Sequence, residues 1–175
     1  KMERKLLLKL FLDNRPVSLE LEGFITKLAD LTDKLTVMVA DKNDQSNLAP
    51  CVRVFSEDGI DSGIAFHGVP GGHEFTSFVL GLYNAAGPGQ TIDEDTLKEV
   101  EEIQNQTDMK ILVSLSCTMC PDLVIACQRI ATKNKNIKMC FLLVDTKVGA
   151  TADDVLMYDY LKYLNLPITV VTTKC

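Results

Sequence analysis

The chain has 175 residues, room for one medium domain or two small ones, and its 46% hydrophobic content is enough for packed cores. Lys and Arg number 18 against 24 Asp and Glu, and the net charge of -6 argues against a protein that neutralises nucleic-acid phosphates. No run of about 18 apolar residues occurs, and the apolar stretch in the opening KMERKLLLKLFLD is too short for a signal peptide or membrane span. The reading is of a soluble, cytoplasmic chain with no membrane or nucleic-acid partner.

Taken in chain order, residues 3–12 set leucines among charges and suit a short amphipathic helix, which Asn14 to Pro16 ends with a turn. Val17, Leu19 and Leu21 alternate with Ser18, Glu20 and Glu22 as in a half-buried strand. A helix follows with Phe24, Ile25, Leu28, Leu31 and Leu35 at helical spacing. Strands are expected at 35–40, 51–55 and 64–67, and helical periodicity resumes over 73–86 after the break at 68–72. Gly87-Pro88-Gly89 is the best linker candidate.

Beyond it, residues 93–106 read as an acidic amphipathic helix with Leu97, Val100 and Ile103 on one face. The pattern then runs strand 110–116, helix 121–133, strand 137–145, helix 152–164 and strand 168–172. A proline opens a strand in each half, in LAPCVRV and LNLPITV, and two tandem α/β units fit better than one six-stranded sheet. The expected units are residues 1–88 and 89–175.

Six cysteines, at 51, 117, 120, 127, 140 and 175, include only one close pair, so the chain is no secreted disulfide framework. That pair, in Ser116-Cys117-Thr118-Met119-Cys120-Pro121, falls where the apolar ILVSLS gives way to a helix. Unpaired amides and the dipole at a helix start stabilise a thiolate, and two intervening residues let a second sulfur close a disulfide. Cys117 is therefore the expected nucleophile and Cys120 the resolving thiol, with Pro121 suited to the first turn. The spacing also suits half of a zinc site, and His67 and His73 are available, but no second close pair completes four ligands and no metal is expected. Cys127 lies about two helical turns after Cys120 and is expected to be buried and inert. Cys51, Cys140 and Cys175 read as packing or incidental residues.

Two stretches, GVPGGHEFTSFVLGL at 68–82 and SLSCTMCPDLVIACQRIA at 114–131, resemble the N-terminal module of the alkyl hydroperoxide reductase flavoprotein subunit and related thioredoxin-reductase-like flavoproteins. The likeness covers about residues 6–138. It implies an α/β fold of two fused thioredoxin-like units, of which only the second keeps a redox pair. It also implies thiol–disulfide oxidoreductase activity, passing electrons from a flavoprotein dithiol to a peroxiredoxin or another protein disulfide. Cys117 and Cys120 match the family's dithiol, and Glu74 matches an acid close to it that could exchange protons with the thiols. Alternatively, Glu74 only complements the charge at its own helix start, and His73 caps that helix. In such folds a cis-proline opens the third strand beside the dithiol. That implies a substrate groove formed by Pro167, Thr118 and Met119, and an architectural role for Pro50.

From residue 139 the sequence instead resembles a segment of EngB-type GTPases, and its TKxD-like motif stops at Thr173-Lys174-Cys175, which points to a junction near residue 138. No Gly-rich phosphate loop and no dinucleotide fingerprint occur, so no GTP, FAD or NAD(P)H is expected to bind this chain, and a separate flavoprotein must supply electrons. The second unit would lack its last strand and helix. The competing readings are a thioredoxin-like scaffold that binds a protein partner, or an inactive truncated or chimeric fragment.

Overall fold

A computed structural model describes residues 2–41, 49–113 and 118–143, with the main chain alone for 139–143. The elements are β1 (Leu6–Phe11), α1 (Pro16–Ala29), β2 (Leu35–Val39), β3 (Cys51–Ser56), β4 (Asp61–His67), α2 (Glu74–Ala86), α3 (Glu94–Glu101), β5 (Thr107–Val113), α4 (Cys120–Ala131) and β6 (Ile137–Leu143). The expected helix 152–164 and strand 168–172 lie outside the described residues.

The first twenty residues overturn two expectations. Residues 3–12 hold a strand, not a helix: Leu6, Leu8 and Leu10 are buried while Leu7 and Lys9 are half-buried, the period of two. Leucine-rich runs with interspersed charge fit both periods, and hydrogen bonding to β2 on one side and β3 on the other decides the matter. Conversely, the alternation at 17–22 belongs to a helix. Pro16, with its fixed φ, sits in the first turn of α1, and burial falls on Ser18, Leu21, Ile25 and Ala29, spaced by about one turn each, while Leu19 is 72% exposed.

α3 is shorter than the expected 93–106. Asp93 caps its start by accepting from the Thr96 amide at 2.9 Å. Its end is closed by the asparagines before β6: Asn134 Nδ2 donates to the carbonyls of Val100 and Ile103 at 2.6 and 2.9 Å, and Asn136 Nδ2 donates to Ile103 at 2.9 Å.

The described strands form one six-stranded sheet in the order β2-β1-β3-β4-β6-β5. β1 is parallel to β2 and antiparallel to β3, β3 is antiparallel to β4, and β4, β6 and β5 run parallel. A single sheet thus crosses Gly87-Pro88-Gly89, because β4 before that linker pairs with β6 beyond it. The segments expected as tandem units are joined edge to edge.

One core lies beneath α1, α2 and α4. Leu8, Leu10, Val52, Val54, Ile64 and Phe66 face Leu21, Ile25, Phe78, Leu82 and Val124. Phe66 and Phe78 meet edge to face with centroids 5.0 Å apart, a geometry that adds to their burial. Phe11, Cys51 and Ala65 cluster separately, as the alternation of side chains along β1, β3 and β4 requires.

Candidate redox site

The direction of the strands fixes where the helices begin. The Ala86 carbonyl at the end of α2 accepts from the amides of Glu3 and Arg4 at 3.0 and 2.7 Å, just before β1. β1 is parallel to β4, since β3 between them is antiparallel to both, so α2 returns to the end where β4 starts. α4 likewise links the end of β5 to the start of β6. Both helices therefore begin over the carboxyl ends of β4, β5 and β6, and they run parallel.

Their relative height is set by Gly81 and Gln128. A Cβ on Gly81 would stand 2.8–3.0 Å from the Gln128 side-chain amide, so only glycine admits this approach without movement. Gln128 is fully buried, and its amide atoms have no hydrogen-bond partner among the described residues. Glu74 lies seven residues before Gly81 along α2, and Cys120 lies eight before Gln128 along α4. Each step is about 10–12 Å at 1.5 Å per residue, so the two side chains start their helices at one level.

Cys120 is the first residue of α4, 4% exposed, with Pro121 in the first turn. Thr118 and Met119 before it are exposed, Met119 at 66%. Among the described residues no side chain caps α4. Cys117 and Pro167 lie outside the described residues.

Glu74 opens α2 and is fully buried, where mere charge complementarity at a helix start would leave it in water. Burial pushes its carboxyl up, against the lowering effect of the Ser77 hydroxyl and the nearby His73. Oε2 is bonded to Ser77 Oγ, and Oε1 has no partner among the described residues. His73 makes no side-chain cap on α2. Cys127 is half-buried, and burial pushes its thiol up, away from the reactive thiolate. The Ala49–Pro50 bond ahead of β3 is cis, as the resemblance implies for a proline opening the third strand.

Sequence reading missed two groups. Ser77 was visible only as the i+3 neighbour of Glu74, a spacing that sets two helical side chains on one face. The other is the turn ahead of α1, where Asp13 accepts from Arg15 and Ser18 and the Arg15 guanidinium also donates to the Ala49 carbonyl. Burial pushes the Asp13 carboxyl up, but those hydrogen bonds and the guanidinium charge outweigh it and hold the pKa at about 2.

A mixed sheet flanked by helices, with a Cys-x-x-Cys-Pro sequence leading into a helix over the carboxyl ends of parallel strands, defines a thioredoxin-like dithiol–disulfide oxidoreductase module. The comparisons agree. The crystal structure of the N-terminal domain of alkylhydroperoxide reductase AhpF from Enterococcus faecalis superposes with a TM-score of 0.78 at 31% identity, over 97% of this chain and 81% of that one. The F subunit of alkyl hydroperoxide reductase of Pseudomonas aeruginosa is 37% identical over 127 residues, 73% of this chain and 24% of that protein. A protein named NADH dehydrogenase from Ferdinandcohnia aciditolerans is 33% identical over 138 residues, 78% of this chain and 25% of its own. No protein-family profile matches. The chain belongs to the AhpF family of alkyl hydroperoxide reductase flavoproteins, at its N-terminal domain.

It spans about a quarter of the length of these curated relatives. The matches give no support to a GTPase-derived tail or to a junction near residue 138, and the residues concerned lie almost wholly outside those described.

Proposed function

We propose that the chain is a dithiol relay. The Cys117 thiolate attacks a partner disulfide, forming a mixed disulfide and releasing one partner sulfur as a thiolate. Cys120 then attacks the Cys117 sulfur, the second partner sulfur leaves, and two electrons have passed to the partner. Glu74 takes the proton that Cys120 loses and returns it to the departing thiolate, so protons balance as well.

The observation that carries this reading is the shared level of Cys120 and Glu74. A buried thiol and a buried carboxylate open two parallel helices at the same end of the sheet. Thr118 and Met119, exposed beside Cys120, would line the substrate groove with Pro167. Residues 1–88 and 89–175 would be the two thioredoxin-like units, the first without a dithiol.

The donor is a flavoprotein disulfide reductase carrying FAD and using NAD(P)H, on a separate chain or on the further length that the relatives possess. The acceptor is a peroxiredoxin, and the setting is the cytoplasm. The names and lengths of the matched reductases support this electron path. Mixing the chain with a flavoprotein reductase, NAD(P)H and an oxidised peroxiredoxin should give NAD(P)H consumption that disappears with Cys117→Ser. Undiminished consumption by that variant would refute the relay.

A further inference from the structure

We propose that Ser77 is a positioning residue for Glu74, holding its carboxyl in one place in both protonation states by turning a single hydroxyl hydrogen. The proposal rests on the reading that Glu74 exchanges protons with the dithiol. Ser77 Oγ lies 2.9 Å from the Glu74 main-chain carbonyl and is also bonded to Glu74 Oε2. Both residues are fully buried, so no solvent competes for either bond.

A hydroxyl carries one hydrogen, and here it has two acceptors. If the hydrogen goes to the carbonyl, the contact with Oε2 is a hydrogen bond only when Glu74 is protonated and donates to Oγ. If Glu74 is ionised, the hydroxyl rotates and donates to the carboxylate. The carbonyl then relies on its place in the ladder of α2. The interchange needs a rotation about one C–O bond and no movement of the glutamate. An acid that must receive a proton and give it back needs this constancy of position.

The described surroundings leave Ser77 as the carboxyl's hydrogen-bonding neighbour. His73 precedes Glu74 on its own turn, α4 brings Cys120 to the same level with Asp122 exposed, and from α1 Phe24 stands edge-on to Phe75 at 6.0 Å. On the strands beneath, Lys9, Arg53 and the buried His67 alternate with the buried leucines, valines and Phe66 that face the helices, and so fall on the other face.

The bond to the ionised form is charge-assisted and the stronger of the two, so its loss must favour protonation. The test is a carbon-13 NMR titration of the glutamate carboxyls in the full chain, with the Glu74 signal assigned by its loss in Glu74→Gln. Ser77→Ala should raise the Glu74 titration by about one pH unit or more. The pH profile of disulfide reduction should move in the same direction. An unchanged Glu74 titration in Ser77→Ala overturns the proposal. A raised titration with a pH profile that neither Ser77→Ala nor Glu74→Gln alters confirms the hold of Ser77 and overturns the proton-transfer role of Glu74.

Discussion

The starts of α1 and α4 are built alike and filled differently. Each helix follows a strand, carries a proline in its first turn, and leads into a strand parallel to the one before it. Ahead of α1, Asp13, Arg15 and Ser18 bind one another, and Arg15 reaches across to the carbonyl before the cis-proline. At the start of α4 stands Cys-x-x-Cys, with Thr118 and Met119 exposed; among the described residues neither helix start has a capping side chain. The backbone device delivers a helix start to the end of the sheet in both places. Whether that start is flanked by an ion pair or by a thiol pair depends on three or four side chains.

The largest contrast should come from the thiols. Cys117→Ser should abolish disulfide reduction, and Cys120→Ser should leave attack intact but trap the partner as a mixed disulfide, seen on non-reducing gels. Arg15→Ala, at the start of α1, should leave turnover within about twofold, since it removes an exposed ion pair and no reacting group. Equal losses from Arg15→Ala and Cys117→Ser would erase the distinction between the two starts.

Both starts stand on one core, so a lesion beneath them should not distinguish them. Phe78→Ala removes a fully buried ring packed on Phe66 and should cost about 3–5 kcal/mol in denaturant unfolding.

Asp13, ahead of α1, and Glu74, at the start of α2 beside the dithiol end of the sheet, should differ in the sign of their pH dependence. The folded state depresses the Asp13 pKa to about 2, so its contribution is present above the usual carboxylate range and is lost as pH falls toward that value. Burial raises the Glu74 pKa, so folding favours its protonated form, and that contribution fades as pH rises through the raised value. At neutral pH Arg15→Ala should cost about 0.2–1 kcal/mol, and toward pH 2 the part owed to the Asp13 ion pair should shrink, leaving that of the bond to the Ala49 carbonyl. Denaturation midpoints at both pH values check this. The smallest effect is expected at Cys127, whose half-buried, raised thiol should react slowly with iodoacetamide and whose replacement by alanine should leave disulfide reduction unchanged.

Much of this arrangement could be read from the sequence. An apolar run, a thiol pair and a proline leave few alternatives to a helix start at Cys120 and Pro121. The strands at β2 to β6 and the helix of α2 followed from period and turn residues. The first thirty residues misled because LLLKL and VSLELE each satisfy two periodicities, and the deciding contacts, β1 with β2 and β3, come from about 30 to 50 residues away. That Glu74 opens its helix at the same level as Cys120 is legible only through family resemblance. It depends on the close packing of Gly81 against Gln128, which no local pattern announces.

The central claim is that Cys117 and Cys120 form a reversible redox pair. The direct measurement is equilibration across dithiothreitol redox buffers, quenching with an alkylating mass tag, and mass-spectrometric location of the thiols that titrate. The account requires a two-electron transition confined to Cys117 and Cys120, in the range of thioredoxin-like carriers. No transition, or one that involves Cys51 or Cys127 instead, would contradict it.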